Sequence, residues 1–155
     1  MAENANQQRW EYLAFGDFSP LALYRLLQLR QDVFVLEQTC LYRDLDDKDQ
    51  PARHILCWQG DTLLASQRCL PPGTSFAESS IGRIVVAAAG RGTSLGRELV
   101  RRGVQHNLER WPEHGIRINA QAYLQDFYSE LGFVASGELY DEDGIMHRQM
   151  LYPAP

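Results

Sequence analysis

The segment Gly90-Arg91-Gly92-Thr93-Ser94-Leu95-Gly96 separates a short buried-strand pattern from a long amphipathic pattern, and this arrangement decides the fold. The run before it, Ile81 to Val86, is apolar and β-branched, which is typical of a strand covered on both faces. The run after it, Ser94 to Trp111, places apolar residues on one helical stripe. Unpaired N–H groups and the helix dipole at such a helix start favour an anion, and glycines let it approach closely. The segment therefore predicts a phosphate-binding loop.

Arginine supplies the positive charge of this loop. Arg91 lies inside it, and Arg97, Arg101 and Arg102 lie on the first turns of the predicted helix. A planar guanidinium matches phosphate oxygens in both charge and geometry. The residues expected to bind a pyrophosphate are Arg91, Gly92, Thr93, Ser94, Leu95, Gly96 and Arg97.

Two common phosphate loops do not fit the spacing. A Walker A loop requires a lysine directly after its last glycine, and no glycine of this chain is followed by lysine. A dinucleotide fingerprint requires G-x-G-x-x-G, whereas Gly90, Gly92 and Gly96 are spaced one residue too far apart. The loop therefore belongs to another class of phosphate site.

Composition narrows the class of protein further. A chain of 155 residues with 45% hydrophobic residues suits one globular domain. The formal net charge of -5 argues against non-specific binding to nucleic acid. No apolar run approaches the roughly 20 residues that cross a bilayer, and the polar N-terminus, Met1 to Gln8, has no apolar signal region. We therefore expect a cytoplasmic protein that binds neither nucleic acid nor membrane.

No metal site is predicted. The three cysteines, Cys40, Cys57 and Cys69, form no CxxC pair, so they predict reduced and largely buried thiols. An acidic run contains Asp44, Asp46, Asp47 and Asp49, but the sixth and twelfth positions of a calcium loop starting at Asp44 lack the required glycine and glutamate. We expect a solvated loop here, whose carboxylates could attract a cationic amine.

Hydrophobic periodicity predicts the order β-α-β-β-β-α-β-α-β-β. Ser19 is the expected N-cap of the first helix, with Pro20 at its first position and about four turns ending near Phe34. The remaining helices are predicted over residues 94–111 and 123–131. The strands are predicted over residues 9–15, 54–59, 62–70, 81–86, 116–121, 133–138 and 145–151.

Two motifs resemble those of the GNAT superfamily of acetyltransferases. Arg91 and Gly96 stand at the ends of a Q/R-x-x-G-x-G/A pattern after a buried strand, similar to motif A (about residues 81–111), although Ser94 replaces the middle glycine. The segment from Tyr123 to Phe133 resembles motif B (about residues 116–133), in which a short helix ends in F-Y-x-x-x-G-F.

The resemblance narrows to the ElaA-like family and covers about residues 10 to 151. The residues that carry it are Leu26 to Arg30, Val33 to Val35, Glu37 and Gln38, Tyr42, Asp44 and Asp46, Arg53 to Leu56, Ala120 to Ala122, and Glu142 to Ile145.

This resemblance implies a fold. It is a single-domain α/β fold over residues 1–155, with a mixed, mostly antiparallel sheet of six to seven strands flanked by helices. The fourth and fifth strands splay apart so that the pantetheine arm of coenzyme A pairs with free main-chain groups, here at Ile84, Val85 and Val86. The family's proteins include dimers, so an exposed sheet edge could form a homodimer.

The resemblance also implies a reaction, the direct transfer of an acetyl group from acetyl-CoA to a primary amine. Phe127 and Tyr128 would lie beside the coenzyme, and Tyr128 would donate a proton to the leaving thiolate. Candidates for the base are Glu37, at the end of the first helix, and His54; His147 is a weaker third. The alternative function on the same fold is an acyl-CoA sensor or interaction module with little catalysis.

Overall fold

The computed structural model describes residues 7–155, so the segment Met1 to Gln8 lies for the most part outside the described residues. The helices of the described part are α1 (Pro20–Arg30), α2 (Leu95–Arg110) and α3 (Gln125–Glu130). The strands are β1 (Gln8–Ala14), β2 (Arg53–Gln59), β3 (Thr62–Leu70), β4 (Ser80–Val86), β5 (Ile116–Gln121), β6 (Val134–Ala135), β7 (Tyr140–Glu142) and β8 (Ile145–Tyr152).

These strands form two antiparallel sheets. One has the order β1-β2-β3-β4, and the other has the order β5-β8-β6, with β7 also pairing with β8. A single parallel bridge, between Ser79 and Ile116, joins the two sheets. The α/β fold is therefore confirmed, with eight strands in the described residues. The run expected as one strand over residues 133–138 is shorter, because the chain turns at Gly137, whose φ is +89°.

The first helix begins as the sequence predicts. The Ser19 hydroxyl accepts the Ala22 N–H at 3.1 Å, and Pro20 occupies the first helical position. The regular α-helix ends at Arg30, and residues Gln31–Glu37 continue as a wider π-helical segment. Such segments are rare and often lie at functional sites. This segment places Glu37 at its C-terminal end.

Alternating side chains of the first sheet pack against different helices. Leu56 and Trp58 belong to the cluster around α1, whereas Ile55 and Cys57 belong to the cluster around α2. This follows from the two-residue period of a strand, and it explains why β2 reads as a continuous apolar run. The three cysteines are buried and free, as predicted.

No helix among residues 7–155 is both long enough and apolar enough to cross a bilayer.

Candidate active site

The strands β4 and β5 join at one end and separate towards the other. At the joined end, the Arg117 N–H donates to the Ser79 carbonyl at 2.9 Å, and the Ser80 hydroxyl donates to the Arg117 carbonyl at 2.7 Å. Beyond this point β4 pairs with β3 and β5 pairs with β8, and the two strands share no ladder in the described part of the chain. The predicted splay is thus present, and it leaves one edge of Ile84 to Val86 open.

Asn107 fixes the joined end. Its side chain is completely buried on α2, and its amide donates to the Ser79 hydroxyl at 3.2 Å and to the Ser80 carbonyl at 3.1 Å. Asn107 was not predicted from the sequence. A polar asparagine on the inward stripe of an amphipathic helix was the available signal, because a buried amide requires partners.

The loop between β4 and α2 presents unpaired N–H groups. The first helical hydrogen bond of α2 runs from the Glu98 N–H to the Ser94 carbonyl at 3.2 Å. The N–H groups of Leu95, Gly96 and Arg97 precede that bond, so they have no partner within the helix. This start of α2 matches the anion-binding geometry that the sequence predicts.

Ser94 directly precedes α2, and its hydroxyl makes no side-chain cap hydrogen bond to the helix. Its backbone is left-handed, with φ at +61° and ψ at +15°, a conformation that favours glycine. The glycine that the family pattern has at this position would adopt this conformation without strain.

Gly96 lies where the loop, β4 and α3 meet. A Cβ atom at this position would lie 3.8 Å from Val86 Cγ2 and 4.0 Å from Phe127 Cζ. Phe127 in turn packs edge-on against Tyr128, with ring centroids 5.1 Å apart. The two sequence motifs, which are separated by about thirty residues, therefore meet at one place.

Tyr128 has a buried ring, and its hydroxyl makes no hydrogen bond within residues 7–155. The residue is 7% exposed, and burial raises the pKa of its hydroxyl to about 12. A protonated hydroxyl in this position is free to donate to a ligand.

Arg91 of the loop and Arg97 of α2 are each paired with a glutamate from another element. Arg91 Nη2 lies 2.7 Å from Glu37 Oε2, and Arg91 Nε donates to the Val86 carbonyl at 3.2 Å. Arg97 pairs with Glu130 of α3 and lies over the Phe127 ring, with its guanidinium carbon 5.7 Å from the ring centroid. Glu37 and Arg91 are both partly exposed, at 43% and 46% of their side chains.

The three base candidates occupy different environments. Glu37 lies at the loop, against Arg91. His54 is only 1% exposed and bonds through Nε2 to the Asp49 carbonyl at 2.9 Å, and burial lowers its pKa. His147 lies beside Gln121 at the end of β5, with Nδ1 2.8 Å from the Ile145 carbonyl. The amine enters from solvent, and a catalytic base must contact it. The burial of His54 therefore argues against a role as the base.

The acidic segment is not a solvated loop, and the expectation from sequence is wrong for three of its four aspartates. Arg30 contacts Asp44 and Asp49, each at 2.8 Å. The other contacts are Arg68 to Asp46 at 2.6 Å and to Asp49 at 3.2 Å, and Arg83 to Asp44 at 2.9 Å and to Asp46 at 3.3 Å. Three arginines therefore neutralise three aspartates, and we call these six residues the arginine–aspartate cluster.

Burial alone would raise the pKa of Asp46, but the hydrogen bonds and charge of Arg68 outweigh it and hold that pKa far below its usual range. The pKa of Asp49 is likewise lowered, since Arg30 outweighs the effect of burial. Arg30 sits on the apolar stripe of α1, four residues after Leu26. A charge on that stripe was the sequence signal for this buried cluster.

The cluster also contacts the open edge of β4. Arg83 has a left-handed backbone with φ at +47°, and β4 has an extra residue at this point relative to β3. This bulge directs the Arg83 side chain to Asp44 and Asp46. Arg83, the residue before the segment 84–86, is therefore held in place by its ion pairs with the cluster.

Two surface grooves lie away from residues 84–97. One of about 530 Å³ is between β1 and α1, and one of about 430 Å³ is between α2 and Tyr152. The candidate site itself consists of the open main-chain groups of β4 and of the loop that follows it. Residues 7–155 contain no cluster of side chains suited to hold a metal ion.

This chain is similar to known proteins in sequence and in fold. The profile of the acetyltransferase (GNAT) domain matches residues 30–152. The protein ElaA of Escherichia coli K12 is 41% identical over 140 residues, which cover 89% of this chain and 92% of ElaA. A crystal structure of E. coli ElaA superimposes with a TM-score of 0.87 and 39% identity, covering 94% of this chain and 99% of that one.

A crystal structure of an acyl-CoA N-acyltransferase from Pseudomonas aeruginosa is also similar, with a TM-score of 0.88 and 38% identity. The alignment covers 94% of this chain and 99% of that one. The chain therefore belongs to the GNAT acetyltransferase family, in its ElaA-like branch. This membership supports an acyltransferase in general terms.

Proposed function

We propose that this protein transfers an acetyl group from acetyl-CoA to a primary amine, by direct attack of the amine within a ternary complex. The observation that carries the proposal is the open edge of β4, which leads directly into a loop of unpaired N–H groups. An extended amide-containing arm suits such an edge, because buried main-chain groups need partners. A pyrophosphate suits the loop.

In the proposed reaction the amine nitrogen forms a bond to the thioester carbon, and the carbon–sulfur bond breaks. The main-chain N–H near Val86 polarises the thioester oxygen. Tyr128 donates its proton to the leaving sulfur as the carbon–sulfur bond breaks, and the tyrosinate regains a proton from the nitrogen that has formed the new bond. The hydroxyl is protonated at neutral pH because its own pKa is about 12.

The amine must lose a proton before it attacks, since an alkyl ammonium has a pKa near ~10.4. We assign this role to Glu37 in preference to His54, since Glu37 is exposed beside the loop. His147, which lies on β8 beside the end of β5, is the second candidate. Acetyl as the acyl group, a cytoplasmic location and a homodimer through the β1 edge belong to the same proposal.

Release of free thiol from acetyl-CoA in the presence of a panel of amines tests this function. We expect thiol release that depends on both the enzyme and one class of amine. Binding of acetyl-CoA with no thiol release from any amine would instead favour an acyl-CoA sensor.

A further inference from the structure

Arg91 holds two groups that the proposed reaction requires. Its Nε donates to the Val86 carbonyl at 3.2 Å, on the strand edge that would receive the pantetheine arm. Its Nη2 contacts the carboxylate of Glu37 at 2.7 Å. One side chain of the phosphate loop thus ties together the end of β4 and the end of the π-helical segment after α1.

We expect a phosphate to displace Arg91 from both the Glu37 carboxylate and the Val86 carbonyl. An ion pair between partly exposed side chains contributes little, because water and salt screen it. A phosphate carries more charge than a carboxylate, it forms bidentate bonds with a guanidinium, and it gains from the N–H groups of the adjoining helix start. The coenzyme phosphate therefore outcompetes Glu37 for Arg91.

We propose, on the basis of the function proposed above, that coenzyme binding transfers Arg91 from Glu37 to the phosphate and so frees the Glu37 carboxylate to bind the ammonium group of the acceptor. The same movement frees the Val86 carbonyl. The coenzyme then binds before the acceptor, since the acceptor site is completed only after Arg91 has moved.

The arginine–aspartate cluster strengthens this assignment. Asp44, Asp46 and Asp49 are held by arginines and are not available to a cationic substrate. Glu37 differs from them because, among residues 7–155, it forms an ion pair with Arg91 of the phosphate loop alone. The acceptor is therefore a cationic amine. The Glu37 carboxylate recognises it after coenzyme binding has released that carboxylate from Arg91.

Calorimetric titration of coenzyme A at low salt tests the exchange with a double-mutant cycle. The proteins are the wild type, Glu37→Gln, Arg91→Gln and the double variant. Glu109→Gln is the matched control, because it removes one negative charge at the far end of α2, where the Glu109 carboxylate accepts a hydrogen bond from Gln105 at 3.1 Å. We expect Glu37→Gln to bind coenzyme A about two- to five-fold more tightly, the range of an exposed ion pair.

In the same cycle Arg91→Gln binds more weakly, the double variant matches Arg91→Gln, and Glu109→Gln matches the wild type. If the role of Glu37 were merely structural, its replacement would not increase the affinity for coenzyme A. Unchanged or weaker binding by Glu37→Gln overturns the exchange while the proposed function stands. An equal gain in the Arg91→Gln background also overturns it, because Glu37 would then repel the phosphate directly. Failure of the wild type to bind coenzyme A overturns both proposals.

Discussion

At the scale of single residues, Tyr128 carries the most specific chemical role. Its ring packs between Phe127 and Phe133, and its hydroxyl is free of protein partners among residues 7–155. Replacement by phenylalanine removes the proton donor and keeps the packing. We expect turnover to fall by about 10²- to 10⁴-fold, the usual contribution of a general acid, with coenzyme affinity retained.

Steady-state kinetics with the best amine, together with calorimetry of coenzyme A, measure the two effects separately. Tyr24→Phe is the matched control, because Tyr24 is 63% exposed on α1. Equal turnover of Tyr128→Phe and the wild type would remove the role of the hydroxyl.

Ser94 is the second residue with a specific prediction. Its left-handed backbone costs a side-chain-bearing residue about 1 kcal/mol or more, and its hydroxyl makes no cap bond that would be lost. Ser94→Gly should therefore raise the free energy of unfolding by up to about 1 kcal/mol, as urea titration would show. Ser94→Ala keeps the Cβ atom and should show no such gain; an equal gain would mean that the backbone conformation is not the cause.

At the scale of elements, α2 approaches β3 so closely that one position excludes a side chain. A Cβ atom at Gly103 would lie 2.6 Å from Gln67 Oε1, and Gln67 is fixed by a hydrogen bond to the Leu99 carbonyl. Alanine normally stabilises a helix relative to glycine by about 1 kcal/mol. We expect the opposite sign here, with Gly103→Ala lowering the free energy of unfolding by about 1–3 kcal/mol.

The urea midpoint of Gly103→Ala in a Gln67→Ala background is the matched comparison. With the obstacle removed, the alanine should no longer destabilise. If Gly103→Ala costs the same in both backgrounds, contact with Gln67 does not explain the glycine.

The arginine–aspartate cluster makes the fold sensitive to acid. The pKa values of Asp46 and Asp49 lie below the ordinary value of 3.8, so the unfolded chain binds protons more readily than the folded chain. The stabilisation is fully present above about pH 4 and is lost as the pH falls from there towards the folded pKa values. Urea unfolding at pH 6.5 and pH 3.5 measures this loss.

Asp46→Asn should unfold more easily at pH 6.5 and should lose less stability than the wild type on acidification. Asp47→Asn should behave as the wild type, because Asp47 is exposed and lies outside the cluster. Identical acid sensitivity of Asp46→Asn and the wild type would contradict the pKa assignment.

The elements themselves were largely predictable from the sequence. The cap at Ser19, the hairpin at Gly60 and the start of α2 follow from local residue types and spacing. The pairing of Arg30 with Asp49 across nineteen positions was not predictable, because it depends on how the chain folds back. The widening of α1 into a π-helical segment was also missed, since its apolar spacing still resembles that of an α-helix.

At the scale of the whole molecule, the separation of the two sheets links fold to function. Asn107 and the bridge between Ser79 and Ile116 hold them together at one end. The other end opens beside Val86, where the loop, α3 and the π-helical segment meet. The sequence motifs predicted that these parts belong to one site. Their actual contacts, such as that of Arg91 with Glu37, required the structure.

The central claim is that the open edge of β4 and the loop at residues 91–96 bind acetyl-CoA. Thermal unfolding with and without acetyl-CoA tests it most directly, because a ligand that binds only the folded state stabilises it. At one hundred times its dissociation constant, acetyl-CoA should stabilise the protein by about 2.7 kcal/mol and raise its Tm by several degrees. No change of Tm at millimolar acetyl-CoA would contradict the account.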